Sequence, residues 1–128
     1  MGKISRTFEF VVIETETKTG TAVTEGQVVV FDTDGVAPAS AGASGKFGVA
    51  LETVSPGAGE QEEILVALKG AVRVPKESGA LNFMQFVVAG ASGAVKARTS
   101  ETMEKVVGYV IDPDGAAADE TEVEIMLV

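Results

Sequence analysis

The chain has 128 residues, 19 of them acidic against 10 basic for a formal charge of −9, and it contains neither cysteine nor histidine. Its length suits one domain with a real core, and its composition excludes disulfides, thiolate chemistry, zinc sites of the usual kind and a histidine general base. The acidic balance argues against a nucleic-acid partner, which needs a basic face to displace counterions from phosphates.

Hydrophobic residues make up 45% of the chain but aromatic ones only 5%, so the core must be built mainly from Val, Ile, Leu and Ala. No apolar run approaches the roughly 20 residues that span a bilayer, and "MGKISRTFEF" lacks the continuous apolar segment of a signal peptide. Neither a membrane partner nor export is expected.

In chain order, "TFEFVVIETET" is the first predicted strand, with Phe8, Phe10 and Val12 on one face before the alternation blurs between Val11 and Ile13. "KTGTAV" turns the chain, and "GQVVVF" gives a short apolar run, Val28 to Phe31, of the length of a buried strand. "DTDGVAPASAGASG" has the composition of a loop, with only weak pairing expected at Val36. "KFGVALETV" and the long "EEILVALKGAVRV" follow. In the latter Ile64, Val66 and Leu68 point one way and Val72 with Val74 continue beyond Gly70, a glycine suited to a bulge or bend. Pro75 ends that strand. "MQFVVA", "AVKAR", "KVVGYVI" and "TEVEIMLV" supply four more, the last alternating cleanly with Val123, Ile125 and Leu127 on one side. The fold class expected is all-β, a small β-barrel or β-tulip-like architecture of about nine short strands.

An internal repeat supports two related half-barrels. "QVVVFDTDGVAPAS" lies over "QFVVAGASGAVKAR", with Gln27 on Gln85 and Gly35 on Gly93 at an offset of 58; Gly48 meets Gly108 at 60 and Ile64 meets Ile125 at 61. The competing explanation is that any two meanders of valine and glycine slide into such a match.

Two look-alike stretches, "FDTDG" (Phe31–Gly35) and "IDPDG" (Ile111–Gly115), open like calcium-binding loops. A loop of that kind needs a glutamate at its twelfth position, where this chain has Ala43 and Val123. Both are expected to be turns, in which Asp caps the local backbone and Gly supplies a positive φ. "GASGKF" (Gly42–Phe47) has the Gly-Lys of a phosphate loop, but Ser40 replaces its first glycine and Phe47 its hydroxyl residue. Lys76 and Ser78 in "PKESG" tempt as a nucleophile pair, yet a polar turn accounts for them. Neither an enzyme activity nor a metal or other cofactor is expected. The charges are uneven, however: no basic residue follows Lys105, whereas Lys3 and Arg6 make the N-terminus basic.

From "GQVVVFDTDGVAPA" through "FGVALETVSPGAGEQEEILVALKGAVRVPKESGA", "QFVVAGASGAV" and "GYVIDPDGAAADETEVEIMLV", the chain resembles the small capsid cement, or decoration, proteins of tailed bacterial and archaeal viruses. That family sometimes carries a recombinase-like label, which the missing phosphate loop and basic surface give no reason to adopt. The resemblance implies a virion structural protein that binds the exterior of the assembled head through the major capsid protein and stabilises it. It also implies a homotrimer, made in the host cytoplasm during assembly and found on the capsid exterior. Residues 1–25 are expected to form an N-terminal arm and first strand and residues 26–128 the β-barrel domain, with Lys3, Arg6, Phe8 and Phe10 as candidate capsid contacts. The alternative is a non-enzymatic β-barrel module that recognises carbohydrate or a cell-surface partner. The missing tryptophan and the lone Tyr109 weigh against it.

Overall fold

The computed structural model describes residues 10–128, and Lys3, Arg6 and Phe8 lie outside them. The fold is all-β, a single curled sheet forming a half-barrel. Its strands are β1 (Val11–Glu16), β2 (Val28–Asp32), β3 (Gly35–Pro38), β4 (Phe47–Ala50), β5 (Glu63–Pro75), β6 (Phe86–Ala89), β7 (Val95–Ala97), β8 (Val106–Val110) and β9 (Glu122–Leu127). One difference from the sequence expectation is β3, which is a paired strand and not loop. Thr33 and Asp34 form a two-residue turn, Asp32 pairs with Gly35, and Val36 and Ala37 continue the ladder opposite Phe31 and Val30. Gly35 makes this possible: its φ is +130°, and a Cβ there would be 2.5 Å from the Glu16 carbonyl oxygen.

The duplication is present in the hydrogen bonds. In the first half β1 pairs with β5, β5 with β4, β4 with β2 and β2 with β3. In the second, the C-terminal part of β5 pairs with β9, β9 with β8, β8 with β6 and β6 with β7. The registers agree as well: Val29 faces Gly48 as Val87 faces Gly108, and Ile13 faces Val66 as Val72 faces Ile125. Even the irregular bonds recur. The Thr24 N–H donates to Gln27 Oε1 at 2.8 Å and the Asn82 N–H to Gln85 Oε1 at 2.9 Å, while parallel bridges join Thr17 to Val36 and Lys76 to Val95. Such agreement does not follow from sliding two valine-rich meanders past each other. The ladders also correct the repeat alignment: Val66, not Ile64, is the counterpart of Ile125, since Val66 faces Ala50 as Ile125 faces Val110. A two-residue slip keeps every side chain on its own face, so the apolar alternation could not reveal it.

Strand β5 is shared by both halves. Before Gly70, Ile64 and Val66 enter a small core with Val23, Val29, Val36 and Ala50, while Ala67 on the opposite face joins a larger core. Beyond Gly70, Val72 and Val74 also join the larger core, although they have the parity of Ile64 and Val66. The expectation that they continue on one side is thus corrected. Gly70, at φ +115°, inverts the alternation, and a Cβ on it would run into the Phe10 ring. The outer face of the first half (Val28, Phe47, Val49, Ala67) therefore packs against the inner face of the second (Val72, Val87, Val110, Ile125).

Thr17 and Lys76, at equivalent places in the repeat, are the two buried polar residues among the described residues. The Thr17 hydroxyl accepts the Glu62 N–H at 3.2 Å, and Lys76 Nζ donates to the carbonyls of Glu77 at 3.1 Å and Glu120 at 3.0 Å. Lys76 is thereby a structural tie between the ends of β5 and β9, as the polar-turn reading of "PKESG" expects.

Gly70→Ala should lower stability by about 1–3 kcal/mol, the cost of holding a non-glycine residue in a disfavoured backbone region. Urea denaturation checks this, and an unchanged midpoint would remove Gly70 from its structural role.

Candidate interaction surface

The repeat allows the two outer faces to be compared residue by residue. In the first half one cross-strand row runs Val28, Val49, Ala67, Val12 through β2, β4, β5 and β1. Its first three members are 0%, 2% and 0% exposed, covered by the second half. In the second half the equivalent row runs Phe86, Tyr109, Met126, Ala71 through β6, β8, β9 and β5. Here Phe86, Tyr109 and Met126 are larger than their counterparts, and none of the four is buried; Phe86 is 37% exposed. Phe86 and Tyr109 meet edge to face, with centroids 6.4 Å apart and planes at 87°.

The row is extended at both margins. On the β7 side the Arg98 guanidinium carbon lies 6.0 Å from the Phe86 ring centroid, and Arg98 Nε donates to the Glu101 carbonyl at 2.7 Å. Lys96, opposite Val88, adds a second cation on that face. Before β6, Phe83 and Met84 are exposed, Met84 by 55%. Met84 holds φ +68° at the place where the first half has Gly26, at φ +91°. The shared hydrogen bonding requires that conformation: the N–H groups of Gly26 and Met84 donate to the carbonyls of Ala50 and Val110. Keeping a methionine there carries a strain of about 1–2 kcal/mol that glycine avoids.

Of the sequence-predicted contact residues, Phe10 is described. It is half exposed, and its ring lies against Gly70, immediately before Ala71 of the second row. The apolar row itself went unrecognised, because Phe86, Tyr109 and Met126 come from three separate strands. The available signal was the repeat alignment, in which Val28 is replaced by Phe86.

One acidic surface lies on the first half. A groove of about 600 Å³ beside β1 and the β2–β3 turn is lined by Phe31 and five carboxylates, those of Glu14, Glu16, Asp32, Asp34 and Glu63. Asp32 accepts from the Thr33 N–H at 2.6 Å and from Lys18 Nζ at 3.2 Å, and Asp34 accepts from the Thr19 N–H at 3.2 Å. In the other look-alike, Asp112 Oδ1 accepts from the Asp114 N–H at 3.0 Å, and Gly115 turns the chain at φ +68°. Both Asp-x-Asp-Gly stretches are therefore turns, each with its first aspartate capping a nearby backbone N–H. They are not equivalent in the repeat: Gly35 falls near Gly93, whereas Asp112 lies beside the counterpart of Leu51, whose N–H donates to Leu65 as that of Ile111 does to Glu124. Phe47, at the hydroxyl position of the phosphate-loop pattern, is a core residue.

Two carboxyls are held below their ordinary values. Asp32 is lowered first by the Thr33 N–H and then by Lys18; Glu101 is lowered mainly by the backbone N–H of Thr99. For each, the stabilisation is present above the ordinary carboxyl value and is lost as pH falls through the depressed one.

The sequence matches the model of the phage cement protein family over residues 9–127, a stretch that includes β1. Among solved structures, the N base of the head fiber gp8.5 of bacteriophage phi29 is similar, with a TM-score of 0.66 at 14% identity. The alignment covers 92% of this chain and 95% of that one. This likeness is one of fold. No curated protein matches the sequence.

In an NMR titration the Asp32 and Glu101 carboxyls should have midpoints below 3.8 and 4.5, respectively. Lys18→Ala should bring Asp32 only part of the way back, because the Thr33 N–H remains; full recovery would identify the lysine as the main cause.

Proposed function

We propose, for a chain that belongs to the phage cement protein family, that it binds the outside of the assembled head and strengthens it. The family match carries this reading: it makes the protein a structural, capsid-associated component of a virion. The finer statements are ours. Its partner is the major capsid protein, it works as a homotrimer, and it meets the shell after synthesis in the host cytoplasm.

The physical logic of such a role suits these residues. Binding to a symmetric shell multiplies weak contacts over many copies, so it calls for exposed apolar and polar surface on a rigid support and no reactive centre. We assign the capsid contact to the N-terminal segment, with Lys3, Arg6, Phe8 and Phe10 as its anchors. Residues 1–25 act as the docking element and residues 26–128 as the barrel body. Support for this comes from the pairing of β1 with β5 from Val11 to Glu16, which would spread a pull on the segment over a whole antiparallel ladder. The charge of Lys3 and Arg6 also contrasts with a chain whose net charge is −9.

Purified protein should co-sediment with expanded, empty shells at about micromolar concentration, and failure to pellet with them would sink the capsid reading. Removing Met1–Phe10 should reduce shell occupancy while leaving the β-sheet circular dichroism unchanged. Full occupancy by the truncated protein would rule out this segment as the anchor.

A further inference from the structure

We infer that the row Phe86, Tyr109, Met126 on the outer face of the second half, with Phe83 and Met84 beside it, is the surface on which a second copy of this chain seats. The occupied part of that second copy is the acidic first-half groove between β1 and the β2–β3 turn. The inference deepens the proposed self-association by naming its two faces.

Three observations carry it. First, the repeat supplies a comparison inside one molecule: Val28, Val49 and Ala67 of the equivalent row in the first half are apolar and covered, and their cover is this chain's own second half. The second-half row is apolar and lacks that cover among the described residues. A contact from the second half of one copy to the first half of the next continues the half-to-half order already present. Second, the charges match. The β7 margin of the row carries Arg98 and Lys96, whereas the groove presents Glu14, Glu16, Asp32, Asp34 and Glu63 around Phe31. Beside the groove Leu65, across from Glu14, and Val12, across from Ala67, are exposed apolar residues for the row to cover. Third, Met84 is kept exposed in a backbone conformation that its counterpart meets with glycine. The Met84 N–H bond to the Val110 carbonyl holds that conformation, which glycine adopts in the first half without the strain.

The contact joins unlike faces and is therefore heterologous, the type that closes into a ring when the rotation between copies allows it. Each copy offers one row and one groove, so a closed ring leaves neither face unfilled. A two-fold contact of row against row would instead leave both grooves open.

Complementation between variants tests this. The wild-type protein should be a closed oligomer by light scattering at about 100 μM, and Phe86→Asp should weaken its association at least tenfold. Glu16→Lys with Glu63→Lys should do the same from the groove side. Those two residues already face each other as like charges, so reversing both leaves their mutual repulsion unchanged. Each variant alone should be monomeric, and an equal mixture should give a dimer, since one intact row and one intact groove remain.

A mixture that stays monomeric, or a Phe86→Asp protein of wild-type mass and melting temperature, overturns the proposal. Should Phe86→Asp not fold, Met84→Gly serves in its place: it should melt at or above the wild-type temperature and associate about tenfold more weakly. Unchanged association of Met84→Gly overturns the proposal. A monomeric wild type overturns it too, but leaves capsid binding to be judged by pelleting; lost pelleting with the oligomer intact sinks the capsid reading alone.

Discussion

Strand β5 belongs to both halves of the molecule, and the backbone conformation of Gly70 decides how those halves meet. An unbroken strand would keep Val72 and Val74 on the face of Ile64 and Val66, and the two inner faces would lie on one side. With φ at +115°, Gly70 inverts the alternation. The inner face of the second half then turns onto the outer face of the first, giving one large core and one small one. The buried ties at Thr17 and Lys76 close each half at its seam. The burial of Val28, Val49 and Ala67 and the exposure of their counterparts both follow from that inversion.

Much of the fold was legible in the sequence, because the information lay in local alternation and in turn residues. Eight strands, the break at Gly70, the stop at Pro75 and the turn role of both Asp-x-Asp-Gly stretches follow from patterns a few residues long. What escaped was of another kind. The strand Gly35–Pro38 is too short to show a period, and its own Pro38 with Ser40 and Gly42 beyond it have loop composition. The two-residue slip in the repeat leaves the apolar pattern intact, so only the ladder registers expose it. The direction taken by Val72 and Val74 depends on one dihedral angle, which the letter Gly permits without requiring.

The interaction surface was less legible than the fold. Phe10 stood out because it lies in a basic, aromatic stretch near the chain start. Phe86, Tyr109 and Met126 are separated by about twenty residues each, and each sits in a strand whose other face is core; singly they resemble ordinary strand residues. They form a row only when β6, β8 and β9 are set in register. A surface made of cross-strand neighbours is a property of pairing, and pairing is the non-local part of a β fold.

The difference in bulk between the two rows also bears on how a duplicated chain avoids confusing its halves. Because the ladders share their registers, β9 carries nearly the hydrogen-bond pattern of the first part of β5, and β6 that of β2. A nascent chain, or two chains at high concentration, thus meets near-equal alternatives for pairing, the condition under which exchanged and tangled dimers arise. Backbone bonding does not tell them apart, but side-chain volume does. The space over Val28, Val49 and Ala67 is closed by the second half, and Phe86, Tyr109 and Met126 are far too large to fill it. Size serves each half as an address, making a swapped arrangement overfull and leaving the correct one as the assembly whose core closes.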